Sequence, residues 1–283
     1  MKRQRGFTLI ETIVVMVITG ILAGIMVLFI TRPVRSYVDA SARADLSDAA
    51  DLVLRRMARE LRAALPNSVR LQVVGNVAFL EYIPAKAGGR YLSVDDNATD
   101  SAARVLSFTD ASSLAFSVVG PVPAASVMAA NDAIVVYNLG TGFDRADAYA
   151  GGNRAVISNV TGNLVTLQSN PFALASPPNA SPENRFQVVE QPVTFRCESN
   201  AAGTGTLRRV SGYGFVATQP VNATATTGAL MANNVLACNF SVDGNGNLQT
   251  ALVGLNVVLA RAVPEGGLES VSLTHQIHVS NTP

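Results

Sequence analysis

Residues 7–30 read FTLIETIVVMVITGILAGIMVLFI, and Lys2, Arg3, Arg5 and Gly6 stand just before them. These 24 residues carry one charge, Glu11. As a helix rising about 1.5 Å per residue the stretch extends about 36 Å, enough to cross a bilayer. A cleavable secretory signal would have a shorter apolar core and then a small-residue cut site, whereas Thr31-Arg32-Pro33 follows here, so the apolar stretch is expected to stay on the mature chain. The basic flank predicts a cytoplasmic N-terminus, with Arg32 and Arg35 on the far side reducing the asymmetry.

Outward from this segment the apolar period changes. Val38, Ala42, Leu46, Ala49, Val53, Met57, Leu61 and Leu65 recur every three or four residues, which predicts an amphipathic helix over 34–65 with one stripe facing a core. Arg55, Arg56, Arg59 and Arg62 gather late in it, where the helix dipole favours cations, and Pro66 stops it. Pro33 is expected to be carried inside the helix with a kink.

Beyond Pro66 the period falls to two in short runs bounded by Gly, Pro, Asn and Asp. They lie at 69–74, 77–83, 105–108, 114–119, 133–137, 164–168, 186–190, 193–197, 235–242, 252–260 and 271–279, and read as antiparallel strands. Segments 85–103, 140–153 and 169–184 are expected to be long surface loops or a β-rich insertion. The fold class predicted is α+β: a long N-terminal helix on an antiparallel sheet with a further β-rich part.

The chain has 283 residues, 48% hydrophobic and only 14% charged, with no Trp, as expected of an ordered, β-rich exported protein. Formal net charge is +1. Without Lys2, Arg3 and Arg5, the remaining 18 basic residues face 20 acidic ones, which gives no footprint for nucleic acid.

The junction Arg5-Gly6-Phe7-Thr8-Leu9-Ile10-Glu11, with a basic leader before it and an apolar helix after it, resembles the class III signal of type IV prepilins and type II secretion pseudopilins. The resemblance implies a prepilin peptidase that cuts between Gly6 and Phe7 and methylates the new amine of Phe7. It also implies assembly with other pilin subunits on a pilus assembly platform. A leader at 1–6, a transmembrane and filament-core helix at 7–30, an amphipathic periplasmic helix at 31–66 and a β-rich periplasmic domain at 67–283 follow from it. The implied location is the inner membrane, then the pilus.

A carboxylate in an apolar segment is kept only where it finds a partner. In pilin-like filaments the residue at the position of Glu11 pairs with the freed amine of a neighbour; the alternative is an interfacial carboxylate favoured by its own helix N-terminus. Gly20 and Gly24 form a small-xxx-small pair that permits close helix packing, or are two glycines with no dedicated partner. The proline that commonly interrupts this region in major pilins is absent.

Two further segments, Ala64-Leu65-Pro66-Asn67-Ser68-Val69 and Glu269 to Asn281, resemble the MshO subgroup of minor pilins of the mannose-sensitive haemagglutinin (MSHA) pilus. That implies a low-copy subunit that starts or shapes the pilus. A type II secretion pseudopilin, a tip adhesin or DNA-uptake minor pilin, and a single-pass periplasmic enzyme are the rivals.

For an exported chain, Cys197 and Cys238 are expected to pair, closing a loop of about 42 residues and adding about 4 kcal/mol, with two buried free thiols as the alternative. No cofactor or metal is expected. His275 and His278 point to opposite faces of a strand, and Asp243-Gly-Asn245-Gly-Asn247 lacks the twelfth-position acid of a calcium loop, Gly254 standing there. Asp95, Asp96 and Asp100 read as a solvated loop. Ser211-Gly212-Tyr213-Gly214 lacks the glycine two places before a nucleophilic serine, so no catalytic residue is expected.

Overall fold

A computed structural model describes residues 8–96, 102–221, 228–243, 250–263 and 266–283. The chain divides into two compact units, 1–48 and 49–283. Helix α1 runs Leu9–Arg62 with Pro33 inside it. Of the predicted stripe, Leu46, Val53, Met57 and Leu61 are buried, while Val38 and Ala49 are exposed. Ala50, Leu54 and Ala58 are buried as well, so the buried face is broader than one residue per turn. Each fully buried Leu or Met on it contributes about 2 kcal/mol relative to exposure.

In unit 49–283 a seven-stranded antiparallel sheet combines β1 (Arg70–Val74), β2 (Val77–Tyr82), β9 (Val193–Glu198), β10 (Gly205–Ser211), β11 (Ala229–Asp243), β12 (Thr250–Ala262) and β13 (Leu268–Ser280) in that spatial order. The intervening strands close on themselves as a six-stranded barrel in the order β3 (Ala85–Tyr91), β4 (Ala115–Val119), β7 (Leu164–Leu167), β6 (Arg154–Thr161), β5 (Ala133–Val135) and β8 (Arg185–Val189). With the barrel set aside, the order of strands in the sheet is their order in the chain, a plain meander. The barrel is therefore an insertion into the β2–β9 connection. Its interior is filled by side chains including Phe116, Ile134, Ile157, Val165, Phe186 and Val188.

The strand expectations hold for most runs, and the differences have physical causes. Residues 105–108 form no strand: the Ser107 hydroxyl accepts the N–H groups of Thr109 and Asp110 and turns the chain away. The expected loop 85–103 contains β3, whose sequence AKAGGRY has little strand propensity. It is held by pairing with β8, and a Cβ at Gly89 would strike the Phe186 ring at 2.5 Å, so glycine is what lets the aromatic ring lie there. Strands β6 and β10 escape the alternation test because Ser and Asn interrupt one and Arg208-Arg209 the other.

The last turns of α1 are tied to the sheet by polar bonds. Glu60 accepts bonds from Tyr82 Oη (2.5 Å), Arg209 Nε (2.7 Å) and Arg56 Nε (3.1 Å). Burial alone would raise the Glu60 carboxyl, but these three donors outweigh it and hold it below its ordinary range. On the opposite face Arg70, Glu81 and Thr194 stand opposite one another on β1, β2 and β9. Arg70 pairs with Glu81 at 2.6 Å, and Tyr213 Oη lies 2.9 Å from Glu81 and 2.7 Å from Thr194. Burial pushes the Glu81 carboxyl up despite the Arg70 and Tyr213 contacts. Arg70 also donates to the carbonyls of Val216 and Ala217 and lies 3.6 Å over the Tyr149 ring.

Cys197 and Cys238 are joined in a disulfide, with Cα atoms 6.4 Å apart. It links β9 to β11 where β10 begins, and there the Cys238 N–H donates to Ser199 Oγ at 3.1 Å. A Cβ at Gly205, the first residue of β10, would run into the carbonyl oxygens of Glu198 and Val235.

Two outcomes follow. Labelling of denatured, unreduced protein finds no free thiol, and replacing both cysteines by serine lowers the unfolding free energy in urea by about 2–4 kcal/mol. For Glu60, whose folded pKa lies below the reference 4.5, the stabilisation is present above that value and lost as pH falls through the folded pKa. The gap in urea midpoint between the native chain and Glu60→Gln should therefore shrink as pH drops below 4.5; a constant gap would show that the carboxylate charge plays no part.

Candidate functional site

Of the residues singled out from the sequence, Glu11 lies in the first turn of α1, and Gly20 and Gly24 lie farther along the helix. Gly6 and Phe7, and the basic Lys2, Arg3 and Arg5, lie outside the described residues. Thr8 precedes the helix and caps it: the Glu11 N–H donates to Thr8 Oγ1 at 3.4 Å and the Thr12 N–H to Thr8 O at 3.2 Å. Thr8-Leu9-Ile10-Glu11 thus has the spacing of a capping box, a local reason for Thr and Glu that the sequence reading passed over. Only the threonine half is formed. Among the described residues the Glu11 carboxylate has no hydrogen-bond or ion-pair partner, and the residue is exposed.

Leu9–Val27 is long and apolar enough to cross a membrane, and none of it is buried within the chain. Leu9 is 82% exposed and Phe29 79%. Thr19 conceals its hydroxyl by donating to the carbonyls of Val15 (2.7 Å) and Met16 (3.1 Å), which removes a polar group from an otherwise apolar surface. A Cβ built at Gly20 or Gly24 meets nothing within 4 Å. Neither glycine is required by the chain's own packing. An apolar surface of this extent is satisfied only by lipid or by other helices.

The remaining candidates separate. His275 faces α1, with Nε2 3.8 Å from Asp51 Oδ1, while Arg55 holds the other Asp51 oxygen at 2.6 Å. His278 is on the opposite, exposed face. Asp96 accepts from Arg90 (2.6 Å) and from the Ser93 N–H (2.8 Å) and hydroxyl (3.0 Å), so it pins a turn; these bonds hold its carboxyl below the usual range. Asp100 and residues 244–247 of the calcium-like turn lie outside the described residues. Among the described residues no group of three or more His, Cys, Asp or Glu could hold a metal. Tyr213, beside the Ser211 considered as a nucleophile, serves Glu81 and Thr194.

Residues 1–27 match the prokaryotic N-terminal methylation motif. Motif and exposed apolar helix together support a type IV pilin-like protein. No curated protein and no solved structure matches the chain. The match covers Lys2, Arg3 and Arg5, the capped start of α1 and both glycines.

Proposed function

We propose that the chain is the precursor of a minor pilin that helps to initiate or assemble an MSHA-like type IV pilus, a structural rather than a catalytic role. The observation that carries this reading is the methylation motif at 1–27 on an apolar helix that is not buried among the described residues. In this reading residues 1–6 are the leader, 7–30 the membrane and filament-core helix, 31–66 an amphipathic helix and 67–283 a periplasmic β-domain. A prepilin peptidase cuts after Gly6 and methylates Phe7. The subunit waits in the inner membrane, then joins other pilins through the assembly platform, with Gly20 and Gly24 giving neighbouring helices room for close approach.

The minor-pilin part rests on the two segments resembling the MshO subgroup, and these meet in space. The Asn67 N–H donates to Asn281 Oδ1 and Asn67 Nδ2 to Asn281 O, both at 3.2 Å. Asn67 has φ +59°, a left-handed conformation that Asn tolerates better than most residues. A type II secretion pseudopilin shares the N-terminal signal. Imaging pili and assaying secreted proteins in a strain lacking the gene separates the two: lost pili with normal secretion supports the pilus role, and the reverse rejects it.

Mass spectrometry of the membrane or filament form is expected to find methylated Phe7 as the first residue. An N-terminus at Met1, or one beyond Ile30, rejects the processing step. Glu11→Val should be inserted and cleaved normally, because the segment becomes more apolar, yet be depleted from filaments. The loss arises because a neighbour's amine is left without its carboxylate in apolar surroundings. Comparing mature protein in membranes with that in sheared filaments reads the effect, and normal incorporation of the valine variant removes Glu11 from the assembly mechanism.

A further inference from the structure

A cleft of about 480 Å³ opens on the barrel, within the size range of small-ligand sites. The half-buried Phe108 ring supplies an apolar surface, backed by the buried Tyr91 ring with centroids 5.7 Å apart. Burial pushes the Tyr91 phenol up to about 12, and its oxygen is engaged with the Ser181 backbone. Tyr91 is therefore a neutral, fixed support behind Phe108.

Both walls are built in advance. On one side Asp96 clamps Ser93 and Arg90, which sets the backbone that carries Asp95. On the other, Asn170 Nδ2 donates to the carbonyls of Ser107 (2.9 Å), Ser113 (3.1 Å) and Asp110 (3.2 Å) and gathers the loop 107–113 around itself. Asn170 is itself buried, with its Oδ1 unpartnered, so the side chain is placed for the loop and not for its own satisfaction.

The groups left over face the cleft. Asp110 takes the Ser112 N–H (2.9 Å) and hydroxyl (2.7 Å) on Oδ1, and its Oδ2 has no hydrogen bond among the described residues. The Asp95 carboxylate, the Thr109 hydroxyl and the Asn184 side-chain amide are likewise unengaged, and no Lys, Arg or His lines the cleft among the described residues.

This combination selects a ligand chemistry. Two carboxylates without a cation repel anions. A simple cation would engage the carboxylate, hydroxyl and amide oxygens but would leave the apolar face of Phe108 without a counterpart. A ligand that offers donors and acceptors together, with an apolar face for the Phe108 ring, matches every group. We propose that the cleft binds a neutral sugar, one or two pyranose rings in size, with hydroxyls donating to Asp95 and Asp110, accepting from Thr109 and Asn184, and the ring lying on Phe108.

Saturation-transfer NMR on the full chain in detergent, with glucose, galactose, N-acetylglucosamine, maltose and lactose, tests this. Glucose 6-phosphate and spermidine serve as charged comparators. At least one neutral sugar should bind, and more tightly than either comparator. Ala180→Trp, at an exposed lining position, and Asp110→Asn should each weaken it at least tenfold with circular dichroism and melting temperature unchanged. Should either variant fold poorly, Asp95→Asn decides, since that exposed side chain makes no bond the fold depends on; it too should lose binding at least tenfold. Absence of binding by all five sugars, tighter binding of either charged comparator, or undiminished binding by well-folded variants overturns the proposal.

Discussion

The ladder between β2 and β9 is the constraint on which the β-rich unit depends. It pairs Val77–Tyr82 with Val193–Glu198 across the whole barrel. The two strands are rich in buried residues, and both faces of the pairing are covered. Forming it means closing a very long loop, which is slow, but the cost in chain entropy grows only with the logarithm of loop length. A barrel with its own filled core shortens the effective loop, because its ends are brought together when it folds: Glu190 N–H donates to Pro84 O at 2.9 Å and Ala85 pairs with Val189.

Around that ladder the two faces use different chemistry. On the α1 side a stacked pair, Tyr82 and Phe195, with centroids 5.5 Å apart, lies beside the Glu60 bonds, so apolar burial and a charge-assisted anchor act on the same helix turn. On the other face the row Arg70, Glu81 and Thr194 is sealed by the chain that follows β10, through Tyr213 and through Gln219 Nε2 on Phe79 O at 2.8 Å. A buried ion pair of this kind adds little net stability. What it does is tie the segment after β10 to the sheet: removing Arg70 or Tyr213 leaves the buried Glu81 carboxylate short of a partner.

How much of this could be read from the sequence depends on whether the information is local. The 24-residue apolar stretch with its single charge, the helix that follows and the clean alternation of β12, with Ala251, Val253, Leu255, Val257 and Leu259 buried, are repeated signals within one segment. β3 was hidden because its partner is β8, nearly a hundred residues away, and Gly89 makes sense only beside Phe186. The end of α1 at Arg62 was placed three residues late because the chain leaves the helix to bond with residues 83–85, a tertiary capture that Pro66 does not announce. At the N-terminus the motif was legible as a pattern, yet the capping role of Thr8 became visible only when the helix start was fixed. The cleft was not legible at all, since its groups come from three separated segments and Asn170, which organises one wall, carries no mark in the sequence.

The meander with an inserted barrel also separates what a lineage can change from what it must keep. If residues between Tyr82 and Val193 were replaced by a short hairpin turn, the strand order of the sheet would be unaltered, while the end of α1 would lose its bonds to Ile83 and Ala85. The barrel is in that sense a payload on a standard chassis. Its outer loops and surface can drift or be engineered to carry a foreign epitope, but exchanging the whole barrel would also cost the contacts it makes with the start of the sheet: Asn138 with Pro66 and Asn67, Tyr149 Oη on Ser68 O, and Arg70 over the Tyr149 ring.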